Sequence, residues 1–161
     1  MIGFFNHKAA YRFKGKQLAR AGITALISEE NKRTGDISFI FCSDEYLLDI
    51  NKTYLRHDYY TDVITFDYCT QKTPKSKIKV SGDIFISIKT VRANAQKFGV
   101  TFEQELTRVM YHGVLHLCGY KDKSPKDKKV MKEKENYYLD KLSIKKNNER
   151  NRFGISAKGV E

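Results

Sequence analysis

Two periods of apolar residues run through the chain. Segments 2–5, 36–42, 62–69 and 79–87 are short and rich in Ile, Val and Phe. Each reads as a strand, and segment 62–69 alternates apolar with polar residues, the period of a half-buried one. Segment 16–30 instead spaces Leu18, Ile23, Leu26 and Ile27 at helical intervals. A second helix follows Ser43 or Asp44, either of which can cap it, with Tyr46, Leu47, Ile50 and Tyr54 along one face. Segment 88–98, stopped by Gly99, and segment 102–117 read as two more helices. Ser124, Pro125 and Asp127 form a helix start: a capping serine, a proline at the first position and a carboxylate in the first turn. That helix carries Val130, Met131, Tyr137, Tyr138 and Leu142 and is expected to end near residue 142. The alternation of Lys132, Glu133, Lys134 and Glu135 within it reads as a solvated face. Residues 56–61 and 70–77 are polar and read as loops.

Strand, helix, strand, helix, two strands and three helices mix hairpin with crossover connections. The expected fold is therefore α+β: a small mixed β-sheet of about four strands flanked by about five helices. A length of 161 residues suits one domain with a core of its own. Residues 1–145 are expected to form that domain, and 146–161, polar and basic, a flexible C-terminal tail. No apolar run approaches membrane-spanning length and no signal pattern opens the chain, so a cytoplasmic protein without a membrane partner is expected. Cys42, Cys69 and Cys118 are odd in number and show no C-x-x-C pairing, which fits reduced thiols acting as small hydrophobes.

Charge adds a partner class. The chain carries a net +11, and residues 121–161 hold 13 Lys and Arg against 7 Asp and Glu. Such an excess favours a polyanion, and nucleic acid above an anionic membrane, because no extended apolar face accompanies it.

The candidate chemistry lies just before that basic run. His112-Gly-Val-Leu-His116-Leu-Cys-Gly119-Tyr-Lys-Asp122 reads H-x3-H-x2-G-x2-D. Two imidazoles four residues apart share one helix face. Gly119 can end the helix in a left-handed conformation, and the returning chain brings Asp122 toward both histidines. His112, His116 and Asp122 are thus candidate ligands of a single metal ion at the end of a core helix, with the fourth position open. Two imidazoles and a carboxylate suit Zn²⁺, and Mn²⁺, Ni²⁺ and Fe²⁺ accept similar donors. Partly buried, hydrogen-bonded core histidines are the plain alternative. The surrounding Val109, Met110, Val114, Leu115 and Leu117 make uncompensated imidazoles costly there, which favours metal. Cys118, two residues past His116, points away from the histidine face.

The spacing also opens the metzincin peptidase pattern, but Gly113 stands where such an enzyme has its general-base Glu. Peptide hydrolysis is therefore disfavoured, and a phosphodiester with an adjacent ribose hydroxyl is the easier target. A second polar constellation, Arg56-His57-Asp58-Tyr59-Tyr60-Thr61-Asp62, precedes a strand. It reads equally as turn and cap chemistry or as a phosphate-clamping guanidinium, Arg56, with tyrosines to stack bases. Tyr54, Tyr59, Tyr60 and Tyr120 are the candidates for such stacking.

The chain resembles the YbeY-type metallo-endoribonucleases over most of its length. The segment from His112 to Tyr120 is similar to the family's histidine signature. Leu48 to Phe66, with Asn51, Asp58, Thr61, Asp62 and Val63, resembles the stretch before its central strand. Gly82-Asp83-Ile84 and Glu105-Leu106 agree as well. Two departures stand out: Asp122 occupies the place of the family's usual third histidine, and the family's arginine aligns with Leu55, Arg56 coming one residue later. Tyr60 also replaces a proline. The resemblance implies a metal-dependent, single-strand-specific endoribonuclease holding one Zn²⁺, with His116 and Arg56 as catalytic residues. It implies action on ribosomal RNA, in maturation of the 16S 3′ end and in ribosome quality control. The implied partners are rRNA and the ribosome or small-subunit proteins, not DNA. A non-catalytic ribosome-assembly factor with a structural metal is the alternative, and a zinc peptidase a weaker one. A structural site would show a fourth protein ligand, such as Cys118 or His57.

Overall fold

A computed structural model describes residues 1–152, with side chains to Ser143. Its elements are β1 (Ile2–His7), α1 (Lys16–Glu29), β2 (Arg33–Cys42), α2 (Asp44–Leu55), β3 (Val63–Asp67), β4 (Lys79–Ser87), α3 (Ile88–Phe98), α4 (Phe102–Leu117) and α5 (Pro125–Arg152). The strands form one sheet in the order β1-β2-β4-β3. β1, β2 and β4 run parallel, while β3 pairs antiparallel with β4. The expected α+β fold with a mixed four-stranded sheet is thus the observed one.

Strand alternation decides which face each helix covers. Ile37, Phe39 and Phe41 of β2 and Val80, Ile84 and Ile86 of β4 point into the larger core. There they meet Ile23, Leu26 and Ile27 of α1, Val91 of α3, and Val109, Val114 and Leu115 of α4. The opposite face carries a smaller cluster in which α2 packs Leu47 and Ile50 on Cys42 and Ile64. Ser43, Ser87 and Thr101 cap α2, α3 and α4, each accepting a hydrogen bond from a backbone N–H three residues on.

The bounds of β4, α3 and α4 agree with the pattern of the sequence. Three others move. β2 begins at Arg33, because Arg33 and Thr34 pair with Lys79 and Val80 across a register shift. Partner pairing, not propensity, recruits those polar residues. β3 spans only Val63–Asp67, shorter at both ends than the apolar pattern. α5 continues past residue 142 to Arg152, since no glycine or proline interrupts residues 143–152. The expected tail from 146 therefore starts within this helix, and residues 153–161 lie outside those described. Among the described residues no helix is long and apolar enough to cross a membrane.

Candidate metal centre

α4 delivers both histidines because it is clamped at each end. Thr101 and Gln104 form a reciprocal capping box at its start. At its end, the N–H of Tyr120 bonds the carbonyl of Leu115 (3.0 Å) and the N–H of Gly119 bonds that of His116 (2.9 Å). This paired closure needs a residue at positive φ, and Gly119 supplies it at φ 105°. The chain then folds back and sets Asp122 against the histidine face, as the spacing implies.

Three potential ligand atoms converge. His112 Nε2 and His116 Nε2 lie 3.0 Å apart. Asp122 Oδ2 is 3.2 Å from each of them. Two ligand atoms each about 2.0–2.1 Å from a tetrahedral zinc stand about 3.3 Å apart. The cluster therefore fits one such ion with little adjustment. Among the described residues it is a group of three, and neither Cys118 nor His57 joins it. Cys118 is buried, and burial pushes its thiol up to about 12.

The other nitrogen of each ring is held from behind. His116 Nδ1 lies 2.8 Å from the Tyr120 carbonyl. A carbonyl can only accept, so Nδ1 carries the hydrogen and Nε2 keeps its lone pair for a metal. His112 Nδ1 faces Glu135 Oε2 from α5 at a longer 3.4 Å. Glu135 is itself buried and pairs with Arg108 at 3.4 Å.

Negative charge surrounds the rings. Burial alone would pull His112 below its ordinary value, but the facing carboxylates of Glu135, Asp122 and Asp62 outweigh it and hold it above. Burial raises the Asp62 carboxyl, an effect that the charge on His112 partly offsets. Glu105 is likewise raised by burial, with Arg108 opposing and the charges of Asp62 and Glu135 adding. Carboxylates crowded about two imidazoles leave a site short of positive charge, which suits a cation.

The cluster opens into a pocket of about 430 Å³. Asn51, His57, Tyr59, Asp62 and Lys123 line it beside the three candidate ligands. That volume falls within the range of small-ligand sites, about 300–1,000 Å³. Arg56 caps α2 at φ 54° and is exposed; the pocket wall is built by its neighbours Leu55 and His57. The structure thus gathers His112, His116 and Asp122, while Arg56 is exposed and does not line the pocket.

Two readings of the sequence need correction. The Lys132–Glu135 alternation is not a uniformly solvated face. Glu135 backs His112, and Lys134 pairs with Glu30 of the α1 C-terminus at 2.9 Å. A charged run carries no mark of burial when its partners lie on another helix. Tyr120 is not a free stacking ring either. It is half-buried, and its hydroxyl donates to Glu30 Oε2 at 2.7 Å. Glu135, Glu30 and the Tyr120 carbonyl are the supporting groups that no local motif announced.

A second cavity of about 350 Å³, bordered by Tyr11, Phe13, Arg92 and Met110, includes none of the three candidate ligands.

A family model described as Endoribonuclease YbeY matches residues 5–143. A protein of Bacteroides thetaiotaomicron, named Endoribonuclease YbeY, is 53% identical over 108 residues, spanning 67% of this chain and 74% of its own. One of the same name from Flavobacterium psychrophilum is 46% identical over 143 residues, spanning 89% of this chain and 98% of its own. The solution structure of a Thermotoga maritima protein matches 100% of both chains at 27% identity, with a TM-score of 0.60. The family match runs from β1 into α5 and takes in all three residues of the metal-competent cluster, and the chain belongs to the YbeY endoribonuclease family.

Proposed function

We propose that this chain is a metal-dependent endoribonuclease of single-stranded RNA. Its role is in ribosomal RNA maturation, at the 16S 3′ end, and in ribosome quality control, in the cytoplasm with small-subunit proteins as partners. One observation carries the reading: in a chain of this family, three ligand atoms converge within 3.2 Å at the floor of an open pocket. His112, His116 and Asp122 hold one divalent ion, with zinc the best fit to this donor set. Such an ion supplies Lewis acidity toward a phosphoryl oxygen and lowers the pKa of a coordinated water. The chain's own groups do the rest. The Tyr120 carbonyl and Glu135 fix the imidazoles. Lys123 and the exposed Arg56 bind the RNA backbone, with Arg56 and His116 as the catalytic residues. The half-buried Asp62 carboxyl, its pKa raised, is placed to exchange a proton within the pocket.

Gly113 sets peptidase chemistry aside on geometric grounds. A Cβ there would stand 2.8 Å from Ile84 Cγ2, so that helix face is pressed on the sheet and has no room for a glutamate.

Elemental analysis of purified protein is expected to give about one equivalent of metal. His116→Ala should lose both metal and cleavage of single-stranded RNA. Asp122→Ala should retain less metal than wild type. Full ribonuclease activity in a chelated, metal-free sample would sink the proposal.

A further inference from the structure

We infer that Tyr59, backed by His57, is a preformed stacking platform for one unpaired nucleobase beside the metal ligands, and so a specificity-determining residue. The inference rests on the RNA-cleaving reading above. Tyr59 lines the same pocket as His112, His116 and Asp122, yet the residue is 56% exposed. Exposure alone is ordinary for a surface tyrosine; what distinguishes Tyr59 is that it is exposed at the pocket of the three candidate ligands.

The ring is not loose. It lies nearly parallel to His57, with centroids 5.1 Å apart and planes at 19°. Its hydroxyl is 3.0 Å from His57 Nδ1. Its own carbonyl accepts from Nδ2 of Asn51 at 2.9 Å, and Asn51 is only 2% exposed. A side chain anchored at backbone, ring and hydroxyl has already met most of the ordering cost that binding would impose. Tyr54, Tyr60 and Tyr68 are comparably exposed, but none of them lines this pocket. Tyr54 also rests its edge on Phe66, with centroids 5.7 Å apart.

Charge selects the occupant. Lys123 lines the same pocket, the exposed Arg56 lies beside it, and the chain carries a net +11. Asp62 and Asp67 line the pocket as well, but with a divalent ion held at the three ligands and Lys123 at hand, the open ring suits a polyanion whose units have π faces. Bases within a duplex are covered on both faces by their neighbours, so only an unstacked base can use the ring. The platform therefore supplies a physical source of single-strand preference.

The test uses zinc-loaded full-length protein. Its substrates are a single-stranded oligoribonucleotide and a set in which one base at a time is replaced by an abasic residue. Base–aromatic stacking, as read by alanine substitution, sets the scale at about tenfold. Wild type is expected to show one abasic position near the cleaved bond that raises KM about tenfold. Tyr59→Ala, with zinc content and thermal midpoint checked, should raise KM on intact RNA by a similar factor and become indifferent to that abasic position. Tyr59→Phe, which keeps the ring, should recover most of the loss. An unchanged KM in Tyr59→Ala, or abasic sensitivity that survives the substitution, overturns the platform while leaving the ribonuclease reading standing. Should wild type cleave no RNA, that reading fails instead. Fluorescence anisotropy with the same oligomers then decides the platform by the same abasic pattern in binding. If Tyr59→Ala does not fold, His57→Ala, which removes the backing ring, is measured in its place and should give a smaller rise in KM of the same position dependence.

Discussion

Gly113 shows how much one absent side chain decides. It is a buried helical glycine lying against Ile84 of β4, with no space for even a methyl group. Gly113→Ala gains up to about 1 kcal/mol of helix propensity. Overpacking a close-packed core costs about 1–3 kcal/mol. Ile84 is fully buried and cannot swing aside, so the second effect should win. Chemical denaturation is expected to show net destabilisation of about 1 kcal/mol, and a stabilised Gly113→Ala would contradict the packing account. The two histidines were legible at this scale, since a spacing of four on a helix is enough to align them. Asp122 was legible only through Gly119, whose positive φ turns the chain back. Arg56 was legible as a cation but not by location. A left-handed cap at the end of α2 leaves it exposed beside the pocket, which no spacing rule states.

At the scale of elements, the centre is held by α1 and α5 as much as by α4. Glu30, at the C-terminal cap of α1, accepts from the hydroxyls of Tyr120 and Tyr138 and from Lys134. Tyr120 in turn holds His116 through its carbonyl. Burial pushes the Glu30 carboxyl up, but the three donors Tyr138, Lys134 and Tyr120 outweigh it and hold it below its ordinary value. A carboxylate with a depressed folded pKa stabilises fully above its unfolded value, about 4.3, and loses that contribution as pH falls through the folded value. Glu30→Gln should therefore cost about 1–3 kcal/mol at neutral pH, the scale of charge-assisted hydrogen bonds. The gap to wild type should narrow as pH falls below the unfolded value and close once it is below the depressed folded one. Zinc affinity should also drop severalfold, since loosening the groups that orient a ligand weakens the metal. Equal acid-unfolding curves for the two proteins would remove Glu30 from this role. α3 and α4 were readable because capping residues and stop glycines act within one turn. The pairing of Glu30 with α5 was not, because its donors lie 90 residues or more further along the chain.

For the molecule as a whole, the net charge of +11 favours a polyanion such as the RNA that the family's description implies. Binding that neutralises phosphates releases counterions, so affinity for single strands falls with salt at a logarithmic slope of about −0.7 per contact. Three contacts imply roughly a twentyfold loss between about 50 and 200 mM salt. Binding of a single-stranded oligoribonucleotide that ignores salt over this range would exclude a phosphate-led interface. The sequence pattern alone established an α+β fold and one core helix bearing two aligned imidazoles. Those features arise from interactions a few residues apart, where periodicity, capping and backbone conformation act. The tertiary structure decided the rest: the order β1-β2-β4-β3, the buried Glu135 behind His112, the Glu30 clamp on Tyr120, and the placement of Tyr59 at the metal pocket. Each brings together groups distant along the chain, and a side chain's own type does not reveal which distant partner will reach it.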